Sequence, residues 1–254
     1  MSLDFSEAEI ARYSRHILLR EVGGAGQARL RAASVLIIGA GGLGSPSALY
    51  LAAAGVGRIG IVDHDVLELS NLQRQIAHSL DELGKPKAAS AARAMRRINP
   101  EIRVEPVEAR ISADNVDALV GDHDIILDGT DNFATRFLVA DACVRAGKTL
   151  VSAAVLRFEG QMSTFKPHAG PDCPCYRCLY PEPPPPGMVP SCSEAGVLGP
   201  VTGVMGTLQA SEAIKEILGI GTSLAGRLLL WDALDMRFRI IAIPRDPHCA
   251  ACGA

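Results

Sequence analysis

The 254-residue sequence carries no large charge of either sign: 25 Lys and Arg stand against 28 Asp and Glu, a net −3. That balance gives no overall electrostatic case for a nucleic acid or an anionic membrane as partner. A leader-like start is also missing. Residues 1–16 mix Asp4, Glu7, Glu9, Arg12 and Arg15 with apolar side chains and contain no signal-peptide core. Nor is there an unbroken apolar run of membrane length. The longest charge-free stretch, 32–57, is interrupted by Gly39, Gly41, Gly42, Gly44 and Pro46, and it reads as strand, turn and helix. Seven cysteines, an odd number in a long chain, do not suit a disulfide-stapled scaffold. The six histidines show no metal-binding spacing. These absences point to a cytoplasmic protein with reduced thiols, where cysteine clusters hold metal more often than they form disulfides. At 48% hydrophobic residues the chain supports a substantial core, and its length fits one large domain.

Periodicity gives the elements. Ser6 and Glu9 have capping-box spacing and Ile10, Tyr13 and Ile17 share a face, predicting a helix over 6–20. Strands are expected at Ser34–Ile38 and Arg58–Val62, with a helix between them from about residue 44 to 55. Residues 64–86 read as polar with short helical turns. Helices follow at 88–99, stopped by Pro100, and at 133–145. Strands follow at 102–107, 124–127 and 149–152. Ten of the 16 prolines fall in 167–200, so no regular sheet crosses that segment and a long loop is expected there. A helix over 204–218 and strands at 227–231 and 237–243 complete the chain. The alternation predicts an α/β fold, a Rossmann-like, mostly parallel sheet with helices on both faces.

Gly39, Gly41 and Gly44, with Gly42 between them, fit G-x-G-x-x-G directly after an apolar strand and before a helix. Such glycines allow a tight turn and close approach of backbone amides to phosphate. Asp63 ends the next strand, where a carboxylate accepts from ribose hydroxyls. Asp65, Ser70, Asn71, Gln73, Arg74, Lys87, Asp131 and Asn132 follow at positions where the carboxyl ends of parallel strands gather. Arg74 and Lys87 there suit a triphosphate and an Asp suits magnesium, whereas a dehydrogenase needs apolar walls for nicotinamide. The glycine motif alone is compatible with NAD as well as ATP, and solvated surface charge is the plainer account of Arg74 and Lys87.

Cys175 and Cys178, and Cys249 and Cys252, form two C-x-x-C pairs that suit a closed, structural zinc site. A redox dithiol is the alternative, but neither pair opens a helix after a strand. Cys173 lacks the matching spacing. Cys143 falls on a helix and reads as packing. Trp231 fits either the core or a partner-binding groove.

Taken together, Tyr13, Ser14, Arg15 and His16, the glycine loop 39–44, Asp63, the run 70–75, Gly84 to Lys87, and Thr130, Asp131 and Asn132 resemble the bacterial ThiF/MoeB/HesA adenylyltransferases, relatives of the ubiquitin-activating enzymes. The resemblance spans about residues 5–252, with the motifs in family order. It implies a single adenylation domain over 1–254: N-terminal helices in 1–33, a nucleotide-binding core in 34–153, and a carrier-binding, zinc-containing part in 154–254. It implies attack of the C-terminal Gly-Gly carboxylate of a ubiquitin-like sulfur carrier on the α-phosphate of ATP. Asp63 would then bind ribose, Asn71, Arg74 and Lys87 phosphates, and Asp131 magnesium. Arg15 would act in trans across a homodimer. Cys192, in the long loop, would be either a covalent sulfur-transfer residue or an unreactive thiol. With no rhodanese-type segment before the end at Ala254, a separate sulfur donor is expected. Segment 181–190 is closest to the molybdopterin branch, with thiamine and tRNA-thiolation carriers also open. A dehydrogenase and a non-catalytic nucleotide-sensing adaptor remain as competing functions.

Overall fold

The computed structural model describes residues 4–185, 187–188 and 195–253. One eight-stranded sheet organises them, in the order β3-β2-β1-β4-β5-β6-β7-β8. Its first five strands are parallel: β3 (Arg103–Val107), β2 (Arg58–Val62), β1 (Ser34–Ile38), β4 (Ile125–Asp128) and β5 (Thr149–Leu156). The last three, β6 (Glu159–Phe165), β7 (Arg227–Asp232) and β8 (Arg237–Ala242), add antiparallel. The central strands are apolar throughout because both faces are covered.

Alternation along β1 divides the core. Val35 and Ile37 pack with Leu51 of α3 (Gly44–Ala54), Met95 of α4 (Lys87–Ile98) and Met205 of the long helix α8 (Gly199–Leu218). Leu36 and Ile38 point the other way. They meet Val116 and Val120 of α5 (Val116–Gly121) and Phe137 and Ala140 of α6 (Phe133–Ala146). Helices α1 (Glu7–Ile17) and α2 (Gly23–Ala32) precede the sheet, and the short α7 (Tyr176–Leu179) lies within the proline-rich segment.

Several bounds differ from expectation. The first helix stops at Ile17, where turns at 18–22 redirect the chain into α2. Strand β5 runs on to Leu156 because it pairs with β6 from Leu150 to Leu156, through a turn at Arg157 with φ +54°. Helix α8 starts at Gly199, with Pro200 in its first turn, where a missing N–H costs nothing. Among the described residues no helix is long and apolar enough to cross a membrane.

The order β3-β2-β1-β4-β5 places a topological switch between β1 and β4. Crossovers leave in opposite directions there, so the carboxyl ends of these strands border an open crevice.

Candidate functional site

The glycine loop leaves β1 and lines this crevice. Gly39 has φ +95°, a conformation that L side chains rarely adopt. At Gly44 a Cβ would lie 1.8 Å from the Gly39 carbonyl oxygen, so the turn into α3 needs glycine. No side chain caps the start of α3. The Ser45 amide is taken by the Gly41 carbonyl at 2.9 Å and Pro46 has no N–H, so it is the Gly44 amide at the start of the helix that can face an anion.

A cavity of about 820 Å³ opens in front of the loop. Gly39, Gly41, Gly42, Asp63, Asp65, Asn71, Arg74, Lys87, Asp131 and Asn132 all border it, gathering most of the site expected from the sequence. Gly44 underlies the loop instead. Ser70 and Gln73 lie outside the lining. The Ser70 carbonyl accepts from Arg74 Nη1 at 3.1 Å and steadies that guanidinium, while the Gln73 backbone packs against Gly199 at the start of α8. Arg15 is exposed on α1 and also outside the lining of its own cavity.

Each polar wall has a local cause. Asp63 accepts from the Ala40 amide at 2.7 Å and the Asp65 amide at 2.8 Å, which ties the end of β2 to the glycine loop. Lys87, at the start of α4, reaches Asp65 at 2.8 Å with its side chain only 8% exposed. Burial opposes ionisation of Asp65, but the Lys87 hydrogen bond and charge outweigh it and hold that carboxyl below its ordinary range. The buried Asn71 accepts from the Glu68 amide at 3.1 Å. Asn132 caps α6 by accepting from the Thr135 amide at 2.9 Å, which leaves the neighbouring Asp131 exposed at the helix entrance.

Arg136 was not singled out from the sequence. Helical spacing gave no sign of it, because its partner is a carbonyl in the preceding loop. It is buried, donates to the Thr130 carbonyl at 2.6 Å, and lies 4.0 Å from the buried Asp128 carboxylate. It borders a second cavity of about 640 Å³ as well as the first. Asp131, Asn132 and Val155 are also common to both. The second cavity runs beside β5, β6, β7 and β8, with Leu156, Leu230 and Trp231 as apolar wall and Arg237 and Arg239 as cations. Trp231 is 5% exposed, as a core residue would be, stacks on Phe238 at 5.5 Å, and presents part of its ring to this cavity.

The four paired cysteines converge away from the crevice. Their sulfurs all lie within 4.8 Å of one another. Cys175 and Cys249 are 3.5 Å apart, Cys178 and Cys252 3.5 Å, and Cys175 and Cys178 3.8 Å. A tetrahedron with zinc–sulfur bonds of about 2.3 Å has edges of about 3.8 Å, so the donor set fits zinc. The Asp246 amide donates to Cys178 Sγ at 3.5 Å, and Arg177 anchors α7 to Asp141 of α6 at 2.7 Å. Cys143 is buried in α6 among core residues, as its position implied. Cys173 stays apart from the cluster. Cys192 lies outside the described residues.

The ThiF family model matches residues 13–251. The SAMP-activating enzyme E1 of Haloferax volcanii is 49% identical over 253 residues, covering 100% of this chain and 92% of that protein. The sulfur carrier protein adenylyltransferase of Thermus thermophilus is 48% identical over 251 residues, covering 98% of this chain and 93% of that protein. Among solved structures, E. coli MccB with MccA-N7isoASN superposes with a TM-score of 0.83 at 26% identity, covering 96% of this chain and 75% of that one.

Proposed function

The chain belongs to the ThiF family, and from that premise we propose that it uses ATP to adenylate the C-terminal glycine of a small ubiquitin-like sulfur-carrier protein. The Thermus thermophilus relative named for sulfur-carrier adenylation, which matches over 93% of its length, supports the reading. The single observation that carries it is the meeting of two cavities at Asp131, Asn132 and Arg136. One has the glycine loop and cations that a triphosphate needs. The other, with Leu156, Leu230 and Trp231 as apolar wall and Arg237 and Arg239 as cations, suits a peptide tail that ends in a carboxylate.

In the step itself a carboxylate oxygen of the carrier forms a bond to the α-phosphorus. The bond from that phosphorus to the bridging oxygen breaks, and its electron pair leaves with pyrophosphate. No proton has to move. The protein's task is to position two anions and to stabilise charge on the leaving group. Asp63 would take the ribose hydroxyls, and the loop amides with Asn71, Arg74 and Lys87 the phosphates. Arg136, at the junction, would face the carboxylate. Magnesium at Asp131 would neutralise phosphate charge. Zinc at Cys175, Cys178, Cys249 and Cys252 would tie the start of the proline-rich segment to the C-terminal segment.

Arg15 would complete the phosphate site of a second copy, which makes the working unit a homodimer. We further assign a separate sulfur donor and a cytoplasmic setting, with the molybdopterin carrier ahead of the thiamine carrier. Cys192 is the candidate for covalent sulfur transfer after adenylation. The cations Arg74, Lys87 and Arg136 favour this reading over a nicotinamide enzyme.

The test is ATP–pyrophosphate exchange with a panel of carriers ending in Gly-Gly, followed by mass detection of the acyl-adenylate. Exchange is expected only when a carrier is present and is lost when its last glycine is removed. No exchange with any carrier overturns the proposal.

A further inference from the structure

His78 is buried, and both of its ring nitrogens are engaged. Nε2 lies 2.9 Å from the Ala40 carbonyl oxygen and Nδ1 2.6 Å from the Ser90 hydroxyl. A carbonyl only accepts, so Nε2 carries a proton and donates, whatever the charge on the ring. Ser90 is fully buried on α4 and meets Glu82 Oε2. Glu82 in turn accepts from Arg93 Nε at 2.9 Å. This chain of side chains fixes the imidazole from behind.

Ala40 is the one non-glycine residue of the Gly39, Ala40, Gly41 turn. Its N–H is held by Asp63, and its carbonyl accepts from His78 at 2.9 Å and, at the longer distance of 3.4 Å, from the Ser45 hydroxyl, so the residue is clamped at both ends with His78 as the shorter bond. The peptides here are trans. In a trans peptide the carbonyl of one residue and the N–H of the next point in opposite directions. Holding the Ala40 carbonyl toward His78 therefore turns the Gly41 N–H the opposite way. Gly41 borders the nucleotide cavity, and a Cβ there would meet nothing closer than Gln75 Nε2 at 3.7 Å.

We propose that His78 is a positioning residue for nucleotide binding: by holding the Ala40 carbonyl, with Ser90, Glu82 and Arg93 as its support, it aims the Gly41 amide at a phosphate of ATP. The inference rests on the nucleotide reading above. His78 and Ser90 are both outside the cavity lining, so their effect on ATP must pass through the loop.

The experiment is calorimetric titration of ATP with magnesium into the wild-type protein and three variants, each first shown folded by its thermal midpoint. In His78→Gln the amide nitrogen reaches the position of Nε2 and keeps the contact to Ala40. In His78→Asn the amide reaches only toward Ser90. His78→Asn is expected to bind ATP about tenfold more weakly, while His78→Gln stays within about threefold of wild type. Ser90→Ala, which deletes a single hydroxyl, is expected to weaken ATP about threefold. It keeps the question open to test if His78→Asn does not fold. In exchange assays the KM for ATP rises with these losses and the KM for the carrier does not. Equal affinity in His78→Asn and wild type, or a Gln variant as weak as the Asn variant, overturns the proposal. Failure of the wild-type protein to bind ATP overturns the adenylation reading itself, and is distinguished by that result from failure of the His78 role.

Discussion

Lys87 Nζ lies 2.8 Å from Asp65 Oδ2 in the wall of the glycine-loop cavity, with the lysine nearly buried and the carboxylate half-exposed. The pair aims a cation whose stem is fixed by the first turn of α4 and whose head is held by a residue just beyond β2. An anion entering the cavity meets a charge that has already lost most of its freedom. Preorganisation of this kind makes a cation effective in stabilising developing charge. Lys87→Ala is expected to lower carrier-dependent ATP–pyrophosphate exchange by about 100-fold or more. Asp65→Asn keeps the cation and loosens its anchor, so a smaller loss of about tenfold is expected. Exchange rates at saturating carrier check both, and a larger loss in Asp65→Asn than in Lys87→Ala contradicts this order.

The cysteine cluster gives a prediction that is independent of nucleotide chemistry. Purified protein should contain one zinc per chain, measured by metal analysis. Cys175→Ser and Cys252→Ser should each lose metal and lower the thermal midpoint, because each leaves three ligands and frees one end of the link between α7 and the C-terminal segment. Cys173→Ser should keep the metal, since that thiol stands outside the cluster.

The parts legible beforehand share a physical cause. Strands β1 and β2 have the bounds expected from the sequence, because strands covered on both faces are continuous apolar runs stopped by Gly39 and Asp63. The glycine loop and the acidic and basic residues around it could be read for a similar reason, since spacing after a strand places them at one sheet edge. Helix α2 was hidden. Gly23, Gly24 and Gly26 oppose a helix locally, and it forms because Gln27 is buried and donates to the Ala54 carbonyl at 2.9 Å. Strand β6 was hidden by polar residues. Ser163 donates to the Arg227 carbonyl and Thr164 to Glu212, partners that only the tertiary fold brings near. Arg136 escaped for the same reason: its hydrogen bond to Thr130 depends on how the loop between β4 and α6 turns.

Acid sensitivity should come first from a buried histidine. His123 is buried, donates from Nδ1 to the Leu119 carbonyl at 2.8 Å, and has no partner at Nε2. Burial holds its pKa below the ordinary value, with Arg58 acting in the same sense and the Leu119 bond against it. Between the depressed folded value and about 6.5 the unfolded chain binds more protons than the folded one. Stability therefore rises with pH through that window and falls as pH drops below about 6.5. Carboxylates such as Asp65 and Glu82, whose folded values are lowered, add their own loss only further into acid. Urea midpoints at several pH values across this window should decline toward the acid side. His123→Gln should flatten the decline, and an unchanged midpoint across the window would rule this account out.

Arg15 is exposed on α1 and borders no part of its own chain's glycine-loop cavity, whereas Asp131 borders that cavity directly. If each site takes Arg15 from the opposite copy, the two residues of one working site come from different chains. Arg15→Ala and Asp131→Ala should then each abolish most exchange in pure form. Mixed after reversible dissociation, they should complement. In a mixed dimer the Arg15→Ala chain supplies an intact Asp131 and receives Arg15 from its partner, giving one good site of two. With random pairing, half of the dimers are mixed, so recovery of about a quarter of wild-type exchange is expected. Sedimentation should show the dimer at assay concentration. If Arg15 acted within its own chain, every site in the mixture would carry one defect, and mixing would restore nothing.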